Sequence, residues 1–94
     1  MINPAARVGE WCDIHQGVNI GQNIEPESVP FLGDNIWIGP GVKIYGKIIL
    51  GDNMMIGANS VVNKSFLKGN CRIAGVPANV ISLHGNVYRR GADK

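Results

Sequence analysis

The stretch Leu32-Gly33-Asp34-Asn35-Ile36-Trp37-Ile38-Gly39-Pro40-Gly41-Val42-Lys43-Ile44 decides how this chain folds. Leu32, Ile38 and Ile44 stand six residues apart, and the glycines Gly33 and Gly39 each follow an aliphatic directly. The same phase runs outward in both directions. Ile2, Val8, Ile14 and Ile20 precede the stretch, Leu50, Ile56 and Val62 follow it, and Pro26 alone departs from the aliphatic class. Glycine recurs after the aliphatic at Gly9, Gly21, Gly51 and Gly57, and the fourth residue on is small or apolar at Ala6, Cys12, Val18, Ile36, Val42 and Ser60.

A period of six fits neither a helix, whose apolar stripe repeats every 3.6 residues, nor a coiled coil. It fits a short extended segment followed by a corner. One aliphatic points inward, Gly or Asn takes the positive φ angle of the turn, and the small fourth residue fills the inside of the corner. Three such units bring the chain back over itself, so that successive coils pair in parallel and bury a continuous aliphatic column. The pattern predicts about four coils between Ile2 and Ile73. Counting in eighteens stacks Ile2, Ile20, Ile38 and Ile56 on one face, Val8, Ile44 and Val62 on a second, and Ile14, Leu32 and Leu50 on the third. The interval from Ile20 to Leu32 equals two repeat lengths and reads as a degenerate pair of hexads. After Val62 the regularity breaks, and Ile73-Ala74-Gly75-Val76-Pro77-Ala78 reads as the last coil and its exit. The expected division is a β-helix over residues 1–78 and an exit segment with a polar tail over 79–94, with one short element at Val80–Leu83.

Composition agrees with an aliphatic, frequently turning chain. Of 94 residues 45% are hydrophobic and only 6% aromatic, while 13 are Gly. A net charge of +2 does not argue for nucleic acid, and the pair Arg89 and Arg90 reads as a solvated tail. No apolar run approaches the ~18 residues of a membrane span, and Met1-Ile2-Asn3-Pro4 shows neither the basic nor the apolar region of a leader, so a cytoplasmic location is expected. Cys12 and Cys71 form no metal-binding spacing with His15 and His84, so no metal is expected and both thiols are expected to be reduced. Cys12 falls in an inward corner slot and reads as a buried, inert thiol.

Four ordered segments carry a resemblance to a known family. They are His15-Gln16-Gly17-Val18-Asn19-Ile20-Gly21, Gly33 through Gly41, Ile56-Gly57-Ala58-Asn59-Ser60-Val61-Val62, and Ala74-Gly75-Val76-Pro77-Ala78. Together they resemble the hexapeptide-repeat acyltransferases of the bacterial serine acetyltransferase and capsule O-acetyltransferase branch, over roughly residues 2–82. The resemblance implies the left hand of the coil, which spacing does not give because the general crossover preference is right-handed. It also implies a homotrimer and acetyl-CoA as co-substrate in a serine acetyltransferase-like O-acyl transfer. Carried over residue by residue, it implies a coenzyme A groove along Gly39, Gly41, Gly57, Ala58 and Ser60. Lys64 would face the phosphates, and Gly75 and Pro77 would form the adenine-side turn.

Acyl transfer from a thioester to a hydroxyl needs a base, and histidine suits that role near neutral pH. The family's catalytic histidine lies upstream of the segment that Ile2-Asn3-Pro4-Ala5 resembles, so it has no counterpart here. His15 is the candidate substitute within the repeats. Ile2 is already in phase with the repeat and no polar cap precedes it, which reads as a chain whose upstream coils belong to a longer protein. The competing expectation is a non-catalytic trimeric β-helix, a scaffold or coenzyme A-binding module. A carbonic anhydrase-like metal site would need three histidines, and an ice-binding face would need threonine columns, of which the sequence has none.

Overall fold

The structure, a computed structural model, describes residues 6–21 and 29–85. Every described element is a strand of two to five residues, joined by corners. Three parallel sheets form the sides of a prism, each built from strands that recur once per coil. The first side stacks β1 (Arg7–Val8), β4 (Phe31–Leu32) and β7 (Ile49–Leu50). The second stacks β2 (Asp13–Ile14), β5 (Trp37–Ile38), β8 (Met55–Ile56) and β10 (Arg72–Gly75). The third stacks β3 (Asn19–Gly21), β6 (Lys43–Tyr45) and β9 (Val61–Val62). This is a left-handed parallel β-helix of hexapeptide repeats.

Within each short strand one residue faces the axis and its neighbour faces out. Ile38, Ile44, Ile56, Val62 and Ile73 are fully buried, as are the corner residues Ile36, Val42 and Met54. The first coil is less enclosed, and Ile14 remains 37% exposed beneath Ile38.

The stacking corrects the expected columns. The axis-facing residues line up as Val8–Leu32–Leu50, Ile14–Ile38–Ile56–Ile73 and Ile20–Ile44–Val62. The twelve residues from Ile20 to Leu32 advance the stack by one side, where two regular hexads would advance it by two. An insertion equal to the period leaves every aliphatic in phase, so periodicity alone is blind to it; strand pairing is not. Ile2 and Pro26, and the tail from Asn86 onward, lie outside the described residues.

The corner between the first and second sides is built from Gly-Asp-Asn at residues 33–35 and 51–53. Asn35, Asn53 and Asn70 adopt φ of 58°, 57° and 49°, and Trp11 holds the equivalent place in the first coil at 63°. Asn tolerates this left-handed conformation better than other side-chain-bearing residues. Its amide is also used: Asn35 Nδ2 donates to Asn53 Oδ1 at 2.9 Å, and Asn53 Nδ2 to Asn70 Oδ1 at 3.0 Å. Beside this ladder the Glu10 amide donates to Asp34 Oδ1 and the Asp34 amide to Asp52 Oδ1, at 2.8 and 2.7 Å. These bonds tie each coil to the next where strand pairing is interrupted.

The fourth turn is shorter. Phe66 bridges to Leu50 and Ile73 pairs with Ile56, so the steps fall below eighteen. The chain then reverses after Gly75, and β11 (Ala78–Ser82) lies antiparallel on β10 as the last rung of the second side.

Candidate functional site

The outer surface of the second side brings the candidate residues together. Outward from the axis-facing column lie two flanking columns. One reads Asp13–Trp37–Met55–Arg72. The other, one residue further along each strand, reads His15–Gly39–Gly57–Ala74. The first column carries large side chains; the second carries nothing beyond a Cβ above His15. A furrow therefore runs up this face from His15, walled by Trp37, Met55 and Arg72.

His15 sits at the foot of the furrow. Its ring packs against Trp37 with centroids 4.7 Å apart and planes tilted by 51°. Nδ1 lies 2.7 Å from the Ile38 carbonyl oxygen. A carbonyl only accepts, so Nδ1 carries the proton and donates, leaving the lone pair on Nε2. The side chain is exposed. Trp37 thus orients the imidazole, a role that the sequence did not reveal because the pair meets only across two coils.

The glycines divide into two kinds. A Cβ at Gly39 would lie 2.8 Å from the Ala58 backbone nitrogen, and one at Gly41 would strike Asn59 Oδ1. At both places the missing side chain admits the next coil. Gly57 is freer, with Ala74 Cβ at 3.0 Å as the nearest obstacle, and Gly75 is exposed with φ of 108°. Ala58 and Gly75 continue the register into the next column and are exposed, as is Pro77, which follows a cis peptide bond.

Ser60 faces inward, above Val42 at the corner between the second and third sides, and is 1% exposed. Its hydroxyl donates to the Gly57 carbonyl at 2.6 Å and accepts from the Gly75 amide at 3.2 Å. Lys64 Nζ donates to Asn79 Oδ1 at 2.7 Å and lies 5.6 Å from the centre of the Phe66 ring. Ser60 and Lys64 therefore both fasten the last coil to the β10–β11 reversal. Cys12 Sγ lies 3.3 Å from the Gly33 carbonyl, and burial pushes its thiol above the ordinary range. Burial does the same to Cys71.

Elsewhere, Phe31 and Ile49 stand outward on the first side, each about half exposed at 49% and 51%. An apolar cavity of about 270 Å³ lies at the top, between Phe66, Cys71, Val80 and Leu83. Among the described residues no group of three or more His, Cys, Asp or Glu is placed to hold a metal, and no helix is long and apolar enough to cross a membrane.

The coiled stack of hexads has a counterpart among known proteins: residues 30–64 match the family described as bacterial transferase hexapeptide (six repeats). The curated relatives that the chain resembles are serine acetyltransferases. The chain is 37% identical over 87 residues to a serine acetyltransferase of Synechococcus elongatus, covering 90% of this chain and 35% of the relative. Against that of Staphylococcus xylosus it is 33% identical, covering 90% of this chain and 40% of the relative. The crystal structure of serine acetyltransferase in complex with coenzyme A from Brucella abortus strain S19 matches with a TM-score of 0.75 at 32% identity, over 92% of this chain and 43% of that one. The chain thus spans about a third to two-fifths of the length of the curated relatives it matches.

Proposed function

We propose that this chain is the coenzyme A-binding β-helix of a serine acetyltransferase-like O-acyltransferase, working as a homotrimer. The observation that carries the reading is the likeness to serine acetyltransferases along nine-tenths of the chain, including one solved with coenzyme A. The furrow fits such a substrate. Gly57, Ala58, Gly75 and Pro77 leave backbone within reach of a linear pantetheine arm, and Gly39 and Gly41 hold the coils close enough to keep the floor flat. Two unpaired cysteines suit a cytoplasmic setting.

In this reading His15 is the base. Nε2 takes the proton of an acceptor hydroxyl while its oxygen bonds to the thioester carbonyl carbon. As the tetrahedral centre collapses the C–S bond breaks, and the imidazolium returns the proton to the leaving thiolate. The Ile38 carbonyl and the Trp37 ring hold the imidazole through both transfers.

Titrating the protein with acetyl-CoA by calorimetry, alongside mass by light scattering, tests this directly. Binding near one equivalent per subunit of a trimer is expected, and Ala58→Glu, at an exposed furrow position, is expected to weaken it at least about tenfold by repelling phosphate. With L-serine as acceptor, His15→Ala is expected to lower turnover by about 10²–10⁴. Binding without turnover in the wild type would make the chain a coenzyme A-binding module only. Absence of binding would sink the acyltransferase reading and leave a β-helix scaffold.

A further inference from the structure

Among the described residues the coil does not close above Val62. The third side stops at β9 and the first at the bridge from Phe66 to Leu50, while β11 adds a last rung to the second side alone. The cavity of about 270 Å³ left there, between Phe66, Leu67, Cys71, Val80 and Leu83, has almost wholly apolar walls. Leu67 and Leu83 stand 68% and 83% exposed beside it, so water reaches an apolar rim. Among the described residues Lys68 is the one charged group in its lining, and none of them accepts a hydrogen bond from its ammonium.

An apolar cavity of about 150 Å³ takes benzene, so this one has room for about eight to ten carbons. A hollow of this kind with one cation at its edge is complementary to an apolar chain that ends in an anion, the chain filling the hollow and the charge fixing its orientation. The nine residues after Gly85 carry Arg89, Arg90 and Lys94 against Asp93, and a second copy meeting this end face to face would bring a second Lys68. Charge therefore disfavours both as occupants. We propose that the cavity binds a medium-chain carboxylate, with its alkyl chain between Phe66 and Val80 and its carboxylate at the Lys68 ammonium. The lining shares no residue with the furrow, so this site is separate from the one assigned to the acyl donor and does not depend on that reading.

Calorimetry with octanoate, octan-1-ol and octylammonium on the wild-type chain tests the assignment. Octanoate is expected to bind tightest and octylammonium about tenfold more weakly, with octan-1-ol between them. Each methylene from butanoate to octanoate is expected to add about three- to fourfold in affinity. Lys68→Glu, at an exposed position, is expected to reverse the order of the two ions. Val80→Trp fills the cavity from its half-exposed edge and is expected to weaken all three ligands at least about tenfold, with thermal unfolding as the check on the fold. An order of ions that survives Lys68→Glu overturns the assignment. So does coenzyme A that competes with octanoate, since the hollow would then belong to the donor groove. Octanoate that binds only after residues 86–94 are removed, or only at dilutions where light scattering shows copies separating, gives the cavity to the tail or to a second copy and overturns it too. Absence of octanoate binding in every form does the same.

Discussion

Ser60 shows how one atom can hold two elements. It takes the place in its corner that Val42 takes one coil below, yet its hydroxyl is bonded on both sides, to the Gly57 carbonyl and the Gly75 amide. Ser60→Ala leaves a buried carbonyl and amide without that partner, and a loss of about 1–3 kcal/mol in urea unfolding is expected. A change below the error of the measurement would mean that water replaces the hydroxyl at the reversal. Sequence placed Ser60 on the inside of a corner correctly. Its bonds were not legible, because Gly75 reaches it only through the pairing of β8 with β10. The same is true of His15, whose orientation depends on Ile38 and Trp37, twenty-three and twenty-two residues away.

At the scale of the element, the asparagine ladder is where the corners derive much of their strength. Asn53 meets two demands at once, a left-handed φ and two side-chain bonds. Asn53→Gly keeps the first and loses the second; Asn53→Ala loses both. The expected order of destabilisation is Ala above Gly, with the Ala variant costing about 2–4 kcal/mol and the Gly variant about 1–2 kcal/mol in chemical denaturation. The reverse order would show that chain entropy, not φ, governs the corner. The hexad made the corners and the inward column legible. It did not reveal which side each strand joins, because adding six residues between Ile20 and Leu32 preserves the phase while shifting the stack by one side.

For the molecule as a whole, the first and second sides have different outward characters. The second carries the furrow; the first presents Phe31 and Ile49 in register, with Arg7 below them. Apolar side chains half exposed on adjacent rungs suit contact with another copy, and the homotrimer is proposed to pack through this side. Phe31→Glu together with Ile49→Glu is expected to shift the light-scattering mass from trimer to monomer, with acetyl-CoA affinity falling if the groove is shared between copies. A trimer that survives both charges places the contact on another side.

The reversal at β10–β11 has a consequence for growth. A coil of parallel strands offers the next coil a copy of its own donor and acceptor spacing, so such a stack is a template without an inherent length. β11 runs the other way, so a coil wound onward in the original sense would meet it antiparallel, with alternating rather than even hydrogen-bond spacing. A further rung on the second side would therefore not repeat the register of the rungs below it. The reversal acts as a chain terminator does in polymer chemistry, ending on that side the succession of identical additions by which such a stack grows.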